Sequence, residues 1–129
     1  VFYLTYGRSP IATHTHTADN KLLASVDRPE HFGIWINSMK AKELGISDGD
    51  MVRVISLQTG RGGVIRAHVT DGIRPDTVFI VSSWGAESKK LKVASEIGGL
   101  ALNKLWPLQC DDMLPSALTQ EVLVKVEKA

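Results

Sequence analysis

Residues 36–57, INSMKAKELGISDGDMVRVISL, encode a short helix, a turn and a strand in immediate succession. Asn37 or Ser38 is suited to cap the helix, because either side chain can accept a hydrogen bond from a backbone N–H of the first turn. Gly45 is suited to end the helix in the left-handed conformation, which limits it to about two turns. The apolar side of this helix is predicted to consist of Met39, Leu44 and Ile46.

The helix is followed by the turn SDGD at residues 47–50, whose Asp side chains can bond nearby backbone N–H groups. Residues 51–56 then alternate in the manner of a strand, with Val52 and Val54 on one face. The other segments of the chain are placed relative to this unit.

Five further segments are rich in β-forming residues and are bounded by Gly, Pro or polar turns. These predicted strands are residues 1–6, 32–36, 64–70, 77–81 and 121–127. The Gly-rich residues 58–63 predict a hairpin turn between two of the strands. Since helices and strands do not alternate regularly, the pattern favours one closed, mainly β domain over residues 1–129 rather than a doubly wound sheet.

Two long segments follow neither the helical nor the strand period. Residues 11–23 are rich in hydroxyl and imidazole groups and predict a loop, with a short helical turn within residues 22–31. Residues 86–109 contain a lysine cluster and a Gly-Gly pair and are predicted to form a long surface excursion. Loops of such length in a small domain are more often functional than idle, because ordering them costs entropy.

The composition excludes several classes of function. The 129 residues include 43% hydrophobic residues, enough for a continuous core, and 15 basic against 14 acidic residues leave a net charge of +1 that does not favour nucleic-acid binding. The apolar run at residues 78–81 is far shorter than the ~20 residues that span a bilayer, so no membrane insertion is predicted. The single Cys110 excludes an internal disulfide and a thiolate zinc site. Because the chain begins at Val1 without a Met, we interpret it as an excised domain or a processed chain.

Several pieces occur together in a diagnostic order: YGR at 6–8 with HTHT at 14–17, the helix and turn at 36–52, VTDGIRP at 69–75, LNKL at 102–105, and the tail at 111–126. In this order they resemble the C-terminal molybdopterin-dinucleotide-binding domain of the dimethyl sulfoxide reductase family of molybdenum and tungsten enzymes. The resemblance implies a mainly β fold, a six-stranded double-psi β-barrel with short helices. Within the family the chain resembles the catalytic subunits that reduce polysulfide, thiosulfate, tetrathionate or arsenate. It departs from the family pattern at residues 82–84 and 111–116.

The resemblance also implies a function. The chain would hold molybdopterin guanine dinucleotide, as bis-MGD with molybdenum or tungsten, within a larger oxidoreductase, and would supply neither a catalytic residue nor a metal ligand. Its partners would be an iron–sulfur electron-transfer subunit and the rest of the catalytic subunit. Any iron–sulfur cluster of the parent protein would lie outside this chain.

Residues of the matching loops are the candidates for cofactor binding. Gly7 allows close approach of the backbone, and Arg8 can donate two parallel hydrogen bonds to a phosphate or a ring edge. The amide of Asn103 offers both a donor and an acceptor to a pterin or guanine edge. The full set of candidates is Gly7, Arg8, His14, His16, Thr17, Trp84, Asn103, Asp111 and Gln120.

Each candidate has a simpler interpretation. Gly7 and Arg8 can be a turn and a surface charge, Asn103 a helix cap or turn residue, and Trp84 a plug at the end of the barrel. Asp111 or Asp112 can cap a turn. His14 and His16 lie two residues apart, as in some metal sites, but the other potential ligands lack ligand spacing, and these are His31, His68, Asp19 and Cys110.

Two other functions compete with cofactor binding. The first is a free-standing double-psi barrel that recognises a protein or a substrate, as at the front of some ATPases, and the second is a small separate subunit of a tungsten enzyme. The loop from Gly7-Arg8 to the HTHT run, together with Asn103, favours cofactor binding, because a protein-binding barrel does not need these groups.

Overall fold

The structure of the chain is a computed structural model, which describes residues 1–11, 13, 16–82, 84, 85, 87–107, 113 and 122–129. Its strands are β1 (Phe2–Gly7), β2 (Ile34–Asn37), β3 (Met51–Ser56), β4 (Gly62–Thr70), β5 (Thr77–Val81) and β6 (Val122–Lys128). Its α-helices are α1 (Lys21–Val26), α2 (Ser38–Glu43) and α3 (Lys92–Ile97), and short 3-10 helices cover Pro29–Phe32 and Leu102–Lys104.

The six strands close into a barrel in the order β1-β5-β2-β4-β3-β6. The pairs β1–β5 and β2–β4 are parallel, and the other four neighbouring pairs are antiparallel. This closed, mainly β architecture confirms the predicted six-stranded barrel with short helices.

The unit at residues 36–57 forms as predicted around a capped helix. Asn37 Oδ1 accepts a 3.0 Å hydrogen bond from the N–H of Met39, and Gly45 ends the helical region at a φ of 67°. The prediction of its apolar side was wrong for Met39, which is 62% exposed, and for Leu44, which is 40% exposed. Ile46 is buried as predicted, and Ala41 is buried in place of the other two. Met39 faces away because residues two apart lie about 200° round an α-helix, so burial of Ala41 turns Met39 outward.

The barrel interior is filled by alternate strand residues, as the period-two pattern predicts. On β4, Ile65 and Ala67 are buried, and Val69 packs against the core while remaining partly buried. The buried strand residues that close the interior include Leu4, Ile34, Ile36, Val52, Val54, Val78, Ile80, Val122, Val124 and Val126.

The predicted surface excursion at residues 86–109 holds for residues 87–92, which include the lysine cluster and are exposed, but was wrong for several of the residues that follow. Ala94 of α3 is buried, and Leu100, Leu102 and Leu105 belong to the main core. Their spacing shows no regular period, because they lie on a loop and a 3-10 helix rather than on one long element. This segment therefore covers an end of the barrel. Among the described residues, no helix is long and apolar enough to span a membrane.

Candidate functional site

Both long connections of the chain start and return at one end of the barrel. β1 and β5 run parallel up to the pair Gly7 and Val81. The connection after β1 leads to β2, whose first residue Ile34 pairs with Ile80 near the end of β5. The connection after β5 leads to β6, whose residue Val122 pairs with Leu4 of β1. This end of the barrel, which we call the loop end, carries all the described candidate residues.

The two connections pack against each other. Ala18 from the first and Trp84 and Ala94 from the second form a buried cluster with Val81. Asp19 Oδ1 accepts a 3.1 Å hydrogen bond from the N–H of Ala94. Consequently, the segment with His16 and Thr17 is fixed to the segment that follows β5.

Gly7 lies at the last position of β1, where its carbonyl accepts a 2.8 Å hydrogen bond from the N–H of Ser82. A Cβ at this position would lie 2.9 Å from Cζ of Phe79, so the lack of a side chain makes room for that ring. Packing against Phe79 therefore explains why a glycine occupies this position, independently of its predicted role in cofactor binding.

Arg8 is exposed immediately beyond the strand. Across the described residues, Arg28, Arg53, Arg66 and Arg74 each have a hydrogen-bond or ion-pair partner for the guanidinium, whereas Arg8 and Arg61 have none. None of the five N–H donors of the Arg8 guanidinium is thus used by another described residue.

His16 and Thr17 form a turn with Thr13. The N–H of His16 donates to the carbonyl of Thr13 at 3.2 Å, and Thr17 Oγ1 accepts from the N–H of Thr13 at 2.8 Å. His16 is exposed. Within the described part of the chain, no three His, Cys, Asp or Glu side chains are grouped as metal ligands.

Trp84 is 5% exposed, and its ring meets that of Phe32 edge-on with centroids 4.6 Å apart. Trp84 therefore packs in the buried cluster between the two connections, apart from the main core of the barrel. Its Nε1 is buried without a hydrogen-bond partner among the described residues. A buried N–H without an acceptor costs about 1–3 kcal/mol, so this atom is suited to a partner that the described residues do not supply.

Asn103 lies inside the 3-10 helix Leu102–Lys104, whose N-cap position is Ala101, and its side chain is exposed between buried Leu102 and Leu105. It is therefore not the cap of that helix. The chain just before this helix is held to the stretch that contains Trp84. The N–H of Gly85, the residue after Trp84, donates a 3.0 Å hydrogen bond to the carbonyl of Gly98. The remaining candidates, His14, Asp111 and Gln120, and the alternative Asp112, lie outside the described residues.

Sequence reasoning missed a buried polar network beside Arg8. Asp27 is 8% exposed and accepts hydrogen bonds from Ser9 Oγ at 2.7 Å, from His31 Nδ1 at 2.5 Å and from the N–H of Arg28 at 2.9 Å. Burial alone raises the pKa of Asp27, but the bonds from His31, Ser9 and Arg28 outweigh it and hold that pKa below its ordinary value of 3.8. The only local sequence feature that indicates this network is the spacing of Asp27 and His31, which lie four residues apart.

The comparison with protein families shows to which family the chain belongs. A family model described as "Molydopterin dinucleotide binding domain" matches residues 2–114. The chain belongs to this molybdopterin dinucleotide binding domain family. The match covers both connections at the loop end up to residue 114, and it favours cofactor binding over the protein-recognition barrel.

Two curated relatives of this molybdopterin dinucleotide binding domain are components of reductases. The thiosulfate reductase molybdopterin-containing subunit PhsA of Salmonella typhimurium is 27% identical over 87% of this chain and 13% of its own length. A selenate reductase subunit of Mesobacillus selenatarsenatis is 26% identical over 74% of this chain and 10% of its own length. The chain thus spans only about a tenth of these relatives.

A solved structure shares the fold of the domain. Acetylene hydratase from Pelobacter acetylenicus superposes with a TM-score of 0.76 over 99% of this chain and 18% of that protein, at 13% identity. Such low identity supports the fold alone.

The groups at the loop end of the domain fit a long, anionic, polar cofactor. Arg8, His16 and Asn103 present an exposed guanidinium, imidazole and amide, which are donors for phosphate and for ring oxygens. The buried Nε1 of Trp84, without a partner among the described residues, adds a donor.

Proposed function

We propose that the loop end binds molybdopterin guanine dinucleotide, and that this chain is the cofactor-binding C-terminal domain of a molybdenum or tungsten oxidoreductase. The observation that supports this most is the convergence at one barrel end of the two connections within residues 2–114, the part that the family model matches. One end of the cofactor would lie against the segment after β1, and the other against the segment after β5.

In this proposal the residues of the chain bind and orient the cofactor, and the cofactor supplies the redox-active metal when bound. Arg8 donates paired hydrogen bonds to a phosphate or a ring edge, because its planar guanidinium matches both. His16 and Asn103 donate to ring or ribose oxygens, and Trp84 donates through Nε1. The other proposed contacts are Gly7, His14, Thr17, Asp111 and Gln120.

For the whole protein we propose two-electron reduction of a small sulfur compound or oxyanion. The support is that the relatives include components of a thiosulfate reductase and of a selenate reductase. The cofactor would be bis-MGD with molybdenum or tungsten. An iron–sulfur electron-transfer subunit, any iron–sulfur cluster and the rest of the catalytic subunit would lie outside this chain.

The test is an analysis of the purified protein that contains this chain. We expect stoichiometric molybdenum or tungsten and guanine nucleotide released by acid from each chain. Protein that is folded and free of guanine nucleotide after expression in a host that makes the cofactor would contradict the proposal.

A further inference from the structure

The strongest feature outside the predicted site is the buried carboxylate of Asp27, which links two separate parts of the first connection. Its side chain is 1% exposed and lies between the end of α1 and the 3-10 helix Pro29–Phe32. Ser9, eighteen positions earlier in the chain, reaches it through a 2.7 Å hydrogen bond. A buried carboxylate is stable only with such donors, so this contact is strongly specified.

The arrangement of the hydrogen bonds is that of a structural clamp, in which one carboxylate holds two other side chains. It is not that of a catalytic nucleophile and its base. The Ser9 hydroxyl donates to Asp27, and His31 bonds the same carboxylate through Nδ1. In a catalytic triad the imidazole would lie between the hydroxyl and the carboxylate. Here the carboxylate lies between the other two groups, so its role is to hold them.

Arg8 lies between two fixed residues. On one side, Gly7 pairs with Val81 and accepts a hydrogen bond from Ser82. On the other side, Ser9 is 7% exposed and is held by Asp27, and its Oγ also accepts a 3.1 Å hydrogen bond from the N–H of Ile11. The backbone of Arg8 is therefore restrained at both neighbours, while its side chain is exposed and has no partner among the described residues.

We infer that the Ser9–Asp27–His31 network positions Arg8 for the anionic part of the cofactor, an inference that rests on the proposed function. Asp27, Ser9 and His31 are positioning residues, since they act through Arg8 and need not touch the ligand. Holding the backbone of Arg8 before binding removes an ordering cost that binding would otherwise have to offset. The guanidinium of Arg61 also has no partner among the described residues, but its hairpin turn is held by hydrogen bonds to Ser56 and Thr59 rather than by a described buried carboxylate.

A double-mutant cycle between Ser9 and Arg8 tests this inference. Wild type, Ser9→Ala, Arg8→Ala and the double variant of the protein that contains this chain are purified with cofactor. The half-life of guanine nucleotide retention is then measured by timed gel filtration. We expect Arg8→Ala to shorten the half-life roughly 10- to 100-fold, as loss of a charge-assisted hydrogen bond does.

The expected result is strong coupling between the two positions. Ser9→Ala should shorten retention about tenfold when Arg8 is present and leave it nearly unchanged in the Arg8→Ala background. Equal effects in both backgrounds would overturn the inference, because Ser9 would then act on the loop as a whole. A wild type without nucleotide would instead contradict the proposed function itself.

Control variants separate positioning from loss of stability. Asn37→Ala removes a buried polar group at the opposite end of the barrel, where Asn37 caps α2 and donates to the carbonyl of Ile73 at 2.9 Å. It should lower the melting temperature without changing retention. If Ser9→Ala does not fold, His31→Gln, which alters a half-buried donor to Asp27, replaces it in the cycle with the same two outcomes.

Discussion

The N–H of Ser82 donates a 2.8 Å hydrogen bond to the carbonyl of Gly7, one residue beyond the end of β5. This bond extends the parallel pairing of β1 and β5 to the point where both connections leave the barrel. The two loops that carry the candidate residues therefore start from one shared position.

Gly7→Ala should destabilise this position by overpacking. The new methyl group would lie 2.9 Å from Cζ of Phe79, and that ring has limited freedom because its centroid lies 5.2 Å from that of Trp35. We expect the free energy of unfolding to fall by about 1–3 kcal/mol in urea titrations. The loss should be smaller in a Phe79→Leu background, and an equal loss would show that the ring is not the cause. Gly72→Ala is the control, since its nearest neighbour would be Oγ1 of Thr70 at 3.4 Å.

Trp84→Phe tests the buried indole N–H. The ring contact with Phe32 should survive in the variant, whereas the donor Nε1 is lost. If this N–H donates to the cofactor, retention of guanine nucleotide should fall roughly 5- to 10-fold, the effect of one neutral hydrogen bond. Trp35→Phe is the control, because Trp35 Nε1 already donates to the carbonyl of Glu30 at 2.8 Å. Unchanged retention in Trp84→Phe would leave Trp84 with a packing role alone, in the cluster between the two connections.

Asp27 should make the free energy of unfolding depend on pH in the acidic range. Because the folded-state pKa of Asp27 lies below the ordinary 3.8, its contribution is present above that pH and is lost as pH falls through the folded pKa. Asp27→Asn should cost about 1.5–3 kcal/mol at pH 7, where hydrogen bonds to a charged acceptor are lost. Urea titrations at pH 7 and near pH 3 give the acid loss, which is the decrease in the free energy of unfolding between the two pH values. This acid loss should be smaller in Asp27→Asn than in wild type.

The exposed carboxylate of Asp76 provides the matched control for this pH dependence. Its pKa is lowered by the hydrogen bonds from Arg74 and Thr77, but water screens the pair. Asp76→Asn should therefore change the acid loss less than Asp27→Asn. The reverse order would show that the buried network does not carry the effect.

Strands were the most predictable part of the fold, because alternation is a local pattern. β3 and β5 have the predicted bounds, residues 51–56 and 77–81. Leu105 is fully buried in a segment predicted to lie on the surface, because no period marks a loop that folds back over a barrel.

The candidate site was predictable only where a family motif matched. Gly7, Arg8 and Asn103 came from such motifs, and the structure places the segments around them at one end of the barrel. The contact of Ser9 with Asp27 joins positions eighteen residues apart, and no local signal marks a pairing that only the tertiary fold creates.

The most direct test of cofactor binding at the loop end compares Arg8→Lys with Arg74→Lys in the purified protein. Arg74 lies in the turn before β5, at the opposite end of the barrel, where it pairs with Asp76. The measurement is molybdenum or tungsten and guanine nucleotide content per chain, with circular dichroism to confirm folding. We predict that Arg8→Lys loses most of its cofactor while Arg74→Lys keeps it, because Lys cannot reproduce paired hydrogen bonds to a phosphate. Full cofactor content in a folded Arg8→Lys protein would contradict the account.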